Sequence, residues 1–247
     1  MSGHNKWSTI KRKKGAMDAK RSRIFSRIIK EIRIAVKEGG ADPEANPKLR
    51  LAISNAKGAS MPKDNIQRAI NQGKEKDAAD FTETTYEGYL PHGIAVYIEC
   101  TTDNIQRTVA NVRSLFNKFG GNLGTNGSLS FLFDRKGVFT VPAGDINEEE
   151  FELELIDAGA EDIGLDDGFF TITTAMEDFG VMMKKLEALN IEPENAQLQR
   201  IPKETVRLDK ETALKILKMI EAFEEDDDVQ NVFHNLEITD EVVAELE

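Results

Sequence analysis

The chain has one cysteine, Cys100, so no internal disulfide can form, and a reducing, cytoplasmic compartment is the expectation. Cys100 ends the alternating run Ile94-Ala-Val-Tyr-Ile-Glu-Cys, on one face with Ile94, Val96 and Ile98. That placement reads as a buried core thiol rather than a reactive one, and no basic neighbour in sequence activates it. Histidine is equally scarce. His4, His92 and His234 are scattered with no second ligand at metal spacing, so no metal is expected. No run of about 18 apolar residues exists, so no membrane span is expected. The N-terminus lacks the apolar stretch of a secretory signal; it is basic and contains serine, as a mitochondrial presequence does, but its residues belong to a motif described below. The one glycine-rich stretch, Gly120–Ser128, lacks the Gly-Lys-Ser/Thr ending of a phosphate loop and follows a helix instead of opening one. It reads as a helix stop plus a turn. With no catalytic constellation and no cofactor motif, the chain reads as a non-enzyme.

What the chain has in quantity is charge, unevenly placed. Residues 1–76 hold 19 Lys and Arg against 7 Asp and Glu, a net +12, whereas residues 77–247 hold 13 against 37, a net −24. A basic head on an acidic body suggests a polyanion-binding module joined to something polyanions avoid. Within the head, Lys6, Lys11, Arg12, Lys13 and Lys14 form a basic arm around Trp7, the only tryptophan. Downstream, Lys20, Arg23, Arg27, Lys30, Arg33 and Lys37 fall at helical spacing opposite an Ile/Phe stripe, with Ile34 intruding. A cationic stripe plus a basic arm suits a phosphate backbone, with steep salt dependence and little sequence choice. The candidate nucleic-acid-binding residues are therefore Lys6, Lys11, Arg12, Lys13, Lys14, Lys20, Arg23, Arg27 and Lys30. Trp7 is suited either to stacking on an unpaired base or, preferably, to docking on the helices. The acidic clusters Glu148–Glu150 and Glu224–Asp228 read as solvated faces that also suit a basic protein partner.

At 247 residues the chain is long for one domain. Ile24, Phe25, Ile28, Ile29, Ile32, Ala35 and Val36 mark a first helix from Asp18 to the stop at Gly39-Gly40. Asn46-Pro47 caps a second helix, and Pro62 opens a third that ends at Gly73. Gly73–Asp80 reads as a linker. Strands are expected at 84–90, 94–101 and 128–134, with a helix from Asp103 to Phe119 before the last. Residues 138–201 read strand, helix, strand, strand, helix, strand. Asp167-Gly168 is the hairpin turn, and Thr174 with Glu177 reads as a capping box. That order is the split βαβ of a ferredoxin-like sandwich. A helix at 210–224 and a strand at 229–234 follow. The expected fold is α+β: an N-terminal three-helix unit followed by two ferredoxin-like α+β domains, one inserted in the other. The boundaries are 1–78, 79–136 plus 204–247, and 137–203 for the insertion. A linear arrangement is the simpler connection, but the element order favours insertion.

Several separated motifs then agree with a known family. They are Gly3-His4-Asn5-Lys6-Trp7, Asp18-x-x-Arg21-x-Arg23-Ile24-Phe25, Gly39-Gly40-Ala41-Asp42-Pro43 with Asn46 and Leu49, and Met61-Pro62-Lys63 with Ile66. Beyond the head come Tyr86-Glu87-Gly88-Tyr89, Thr102-Asp103-Asn104 with Arg107, and Gly120-Gly121-Asn122-Leu123-Gly124 with Gly127-Ser128. In these the chain resembles the YebC-type family over nearly its whole length. The resemblance implies a helical N-terminal domain and two α+β domains, no established catalytic residues, and a regulator of gene expression that binds DNA. It also implies an alternative, since the mitochondrial relatives are translational activators: a ribosome-associated factor contacting ribosomal RNA and proteins. Charge alone does not separate the two.

Overall fold

The computed structural model describes residues 18–75 and 80–246, with the side chains of residues 18–20 excepted. Three helices come first: α1 Asp18–Gly39, α2 Pro47–Gly58 and α3 Lys63–Gly73. At 12 and 11 residues α2 and α3 are marginal alone, and all three helices share one apolar cluster built from Ile28, Ile32, Val36, Leu49, Ala56, Ile66 and Ile70. Asn46 ties the first two together. Its Nδ2 donates to the carbonyls of Ala35 (2.7 Å) and Gly40 (2.8 Å), while its Oδ1 accepts from the Leu49 N–H (3.0 Å) as the cap of α2. A Cβ on Gly39 would lie 2.7 Å from that Asn46 amide, so the helix stop and the cap form one device.

The strands form two four-stranded sheets. β1 Thr82–Leu90 and β2 Ile94–Thr102 pair as an antiparallel hairpin. Helix α4 Ile105–Lys118 and the two-residue strand β3 Asn122–Leu123 follow. The chain then builds β4 Phe133–Pro142, α5 Glu148–Ile156, β5 Ala160–Asp166, β6 Phe169–Ala175, α6 Phe179–Ala188 and β7 Asn195–Pro202. It returns with α7 Lys210–Glu224 and β8 Val229–His234, and ends in α8 Asp240–Leu246.

The sheet orders are β3-β1-β2-β8 and β5-β6-β4-β7. The second is the ferredoxin-like order, with α5 and α6 supplying Phe151, Leu155, Met182 and Leu186 against Phe139, Val141, Phe170 and Ile172 of its strands. The first sheet has the same two-layer build, α4 and α7 lying on the face that carries Ile94, Val96 and Ile98. Its central pair is the β1–β2 hairpin, however, so its connections run in a different order. Phe116 of α4 and Phe223 of α7 meet with ring centroids 4.9 Å apart, an aromatic pair of about 0.5–1.5 kcal/mol beyond area burial. Strands of the first sheet flank the whole of the second in the chain.

The protein divides into two compact units. One comprises residues 24–78 and 135–199; the other comprises 79–134 and 200–247 and takes in α1 as far as Arg23. In the first unit the helical head packs on the second sheet's domain. The Asn55 side chain donates to the Ala196 carbonyl (3.0 Å) and accepts from the Ala196 N–H (2.9 Å). Gly58 brings α2 so close that a Cβ there would stand 1.8 Å from the Glu194 carbonyl oxygen.

Two sequence expectations are corrected. Residues 128–134 are not a strand. Leu129 is buried, residues 130–132 form a 3₁₀ turn, and the strand begins at Phe133 and runs unbroken through the expected 138–142 stretch. The backbone donors before it are already taken, because the buried Glu87 carboxylate accepts from the Gly127 (2.7 Å) and Leu129 (2.5 Å) N–H groups. The third strand of that sheet is β3 instead. Thr174 and Glu177 do not form a capping box: Thr174 is inside β6, fully buried, and its hydroxyl donates to the Ala175 carbonyl. Helix α6 starts only at Phe179, with no side-chain cap. The terminal helix α8 carried no sequence expectation.

Candidate nucleic-acid interface

Lys6, Trp7, Lys11, Arg12, Lys13 and Lys14 lie outside the described residues, as does the side chain of Lys20. The remaining cations of the head can be placed. On α1, Arg23, Arg27, Lys30 and Arg33 are half-buried, and Ile34 beside them is buried. The Arg23 guanidinium stands 3.4 Å from Glu225, both within the second unit. Arg21, Arg27, Lys30, Arg33 and Lys37 each have an interaction partner as well. On and around α2, every cation is matched with a carboxylate: Lys48 with Glu38 (3.0 Å), Arg50 with Glu44 (3.8 Å) and Lys57 with Glu192 (3.5 Å).

Helix α3 differs. Ile66, Ala69, Ile70 and Gly73 face inward, which leaves Lys63, Asp64, Gln67, Arg68, Asn71 and Lys74 exposed. Among the described residues, Lys63, Arg68 and Lys74 enter no ion pair, and Gln67 donates to Asn71 across one turn (3.2 Å). The sequence pattern assigns the rigid cationic face to α1 and leaves Gln67 and Asn65 of α3 as minor candidates. In the fold Gln67 is exposed and Asn65 is half-buried. The signal for α3 was present in its inward-facing residues, but which cations are already matched is a tertiary property.

Two other polar centres serve the fold. Glu87, from the Tyr-Glu-Gly-Tyr motif, organises the Gly120–Ser128 loop: its carbonyl takes the Gly124 N–H (2.7 Å) while its carboxylate holds the loop's far end. Thr102, Asp103, Asn104 and Arg107 meet at the start of α4. There the Arg107 guanidinium reaches both oxygens of buried Asp228 (2.8–3.1 Å), and the Thr108 hydroxyl donates to the same carboxylate (2.9 Å). The hydrogen bonds it donates to Asp228, then to Asp103, hold the Arg107 guanidinium still further above its already high pKa, so it stays charged. Among the described residues no group of three His, Cys, Asp or Glu is arranged to hold a metal ion, and no helix is long and apolar enough to cross a membrane.

A basic helical head joined to two α+β domains, each built on a four-stranded sheet, is the architecture the described residues define. Comparison with known proteins makes this specific. The family model "TACO1/YebC protein N-terminal domain" matches residues 5–76, and "TACO1/YebC second and third domain" matches residues 81–236. The chain belongs to the TACO1/YebC family. It is 56% identical over 239 residues to a "Probable transcriptional regulatory protein" of Amoebophilus asiaticus, covering 96% of this chain and 98% of that one. It is 51% identical over 248 residues to a like-named protein of Rubrobacter xylanophilus, covering 100% and 99%. A crystal structure of a conserved hypothetical protein from Aquifex aeolicus superposes with a TM-score of 0.81 at 46% identity, over 90% of this chain and 93% of that one. The names of the Amoebophilus and Rubrobacter relatives describe transcriptional regulators.

Proposed function

We propose that this chain is a non-enzymatic, cytoplasmic, DNA-binding regulator of transcription. In this reading residues 1–78 bind, with Lys6, Lys11, Arg12, Lys13, Lys14, Lys20, Arg23, Arg27 and Lys30 as the basic contact set. The acidic domains, 79–136 with 204–247 and the inserted 137–203, engage basic protein partners. The supporting observation is the segregation of charge, +12 over residues 1–76 against −24 over the rest. Duplex DNA is repelled by the acidic body and attracted by the head, so contact is confined to one end of the chain. The names of the relatives point the same way.

The rival reading is a translation factor on the ribosome. The same charge pattern suits it as well, because ribosomal RNA is a polyanion for the basic head and basic ribosomal proteins suit the acidic body. The deciding experiment is competition at physiological salt between purified ribosomes and excess random-sequence duplex DNA for the labelled full-length chain. Transfer to DNA is the expected outcome. Retention on ribosomes overturns the transcription reading in favour of translation.

A further inference from the structure

We propose that the outer face of α3 is the surface that enters the major groove of duplex DNA; this rests on the DNA-binding reading above. The first observation is electrostatic. Every described cation of α1 and α2 from Arg21 onward has a partner, whereas Lys63, Arg68 and Lys74 are exposed and enter no ion pair among the described residues. Arg23, Lys48, Arg50 and Lys57, which are matched by carboxylates, must break those pairs to reach a phosphate; the cations of α3 need not.

The second observation is the connection. Helices α2 and α3 are joined by four residues, Ala59–Pro62, with Ser60 in the left-handed region (φ 56°) and Met61 buried as an anchor. Two helices on so short a turn are the arrangement by which helix-turn-helix proteins present their second helix. Helix α2 is committed to the neighbouring domain through Asn55 and Gly58, which leaves the second helix as the open one.

The third is the order of side chains along the face. At about 100° per residue, Lys63, Gln67, Asn71 and Lys74 fall within an arc of about 80°. Lys74 keeps right-handed helical dihedrals at the C-cap, so the two lysines stand about 16 Å apart along the axis. The B-DNA major groove, about 12 Å wide, admits an α-helix, and with α3 lying in it Gln67 and Asn71 meet the base edges while the long side chains of Lys63 and Lys74, at its two ends, extend to flanking phosphates. Amides in that position pair with adenine, and Asp64, the one acidic side chain exposed on α3, is suited to accept from a cytosine amino group. The deep, narrow major groove of duplex RNA does not admit such a face.

The test uses the full-length chain, a 20-base-pair random-sequence DNA duplex, an RNA duplex of the same length, and a duplex enriched by the parent chain from a random DNA pool. The triple variant Lys63→Gln, Arg68→Gln, Lys74→Gln is expected to flatten the slope of log affinity against log salt by close to three, at about 0.9 for each phosphate no longer neutralised. Its side chains are exposed and enter no ion pair, so thermal unfolding is expected to match the parent. The double variant Gln67→Ala, Asn71→Ala is expected to keep the parent slope and lose at least tenfold of the parent's preference for the enriched duplex. A photo-crosslinker at position 67 is expected to label DNA and not RNA. An unchanged slope in the triple variant, with a flattened slope in a Lys11→Gln, Arg12→Gln, Lys13→Gln, Lys14→Gln variant, overturns the α3 assignment and leaves the DNA-binding reading standing. Equal enrichment by the parent and the double variant, no enrichment by the parent, or equal weakening on DNA and RNA overturns the major-groove assignment. A parent chain that does not bind duplex DNA sinks both.

Discussion

Asn46 offers the sharpest quantitative check on how the head is held. Replacing it by alanine removes three hydrogen bonds at once from a side chain that is only 4% exposed. Loss of the helix cap costs about 1 kcal/mol. The Ala35 carbonyl is left buried without its donor, a further cost of about 1–3 kcal/mol, whereas the exposed Gly40 carbonyl turns to water at little cost. The expected loss is about 2–4 kcal/mol. Native-state hydrogen exchange at the buried Ala52 and Ala56 amides of α2 reads it directly, as an acceleration of roughly 30- to 1000-fold. Asn46→Asp separates the two contributions. It keeps the acceptor for Leu49 and adds a charge favourable at a helix N-terminus, but it has no donor for either carbonyl. The aspartate variant is therefore expected to recover the cap alone, and to stay at least about 1 kcal/mol below the parent. If Asn46→Asp restores parent protection, the cap explains everything and the tie between α1 and α2 is not what stabilises the head.

Gly58→Ala is expected to separate the head from its neighbouring domain, because the added Cβ would overlap the Glu194 backbone. Loss of protection at the Ala196 amide, with the first sheet unaffected, is the signature in hydrogen exchange. Asp209 predicts an acid-side dependence. The hydrogen bond from Thr212, as cap of α7, holds its carboxyl below the ordinary value of 3.8. A carboxyl depressed in the folded state contributes stability that is complete above the unfolded value and lost as pH falls through the folded one. Asp209→Asn, which caps without titrating, is expected to remove that component of the loss below about pH 4; an NMR titration placing Asp209 at or above its ordinary value would refute it.

Local chemistry was legible in the sequence and distant satisfaction was not. Asn46-Pro47 announced the start of α2 because cap and first turn are neighbours in the chain. The strands β1 and β2 were legible as extended segments and the β5–β6 hairpin from its Asp167-Gly168 turn, and the four-strand order of the second sheet followed from its element order. Residues 128–134 alternate as a strand does, yet their register was decided by Glu87, some forty residues upstream, which took two backbone donors first. Thr174 matched a capping pattern, but a strand needed it more. The Arg107–Asp228 pair spans 121 residues, and neither end signals the other. The candidate interface divides in the same way. A helical wheel separates apolar from cationic faces in α1, but it does not show that Glu225 waits for Arg23, or Glu192 for Lys57, and so it does not reveal that, among the described residues of the head, the unmatched cations lie on and just after α3.

The position of β4 and β7 as neighbours in the second sheet has a consequence for how the chain is made. The Lys203 N–H donates to the Leu132 carbonyl (2.9 Å), so the polypeptide leaves the first sheet and re-enters it at one point. A nascent chain has every residue of the second sheet by Pro202. At that moment the first sheet still lacks Ile216, Leu217, Ile220, Phe223, Val229 and Val232, a large part of its core. The domain begun earlier is completed later. Its exposed β2 edge and half-covered apolar face wait through the synthesis of some hundred residues for α7 and β8, and that interval is when this protein is most open to aggregation.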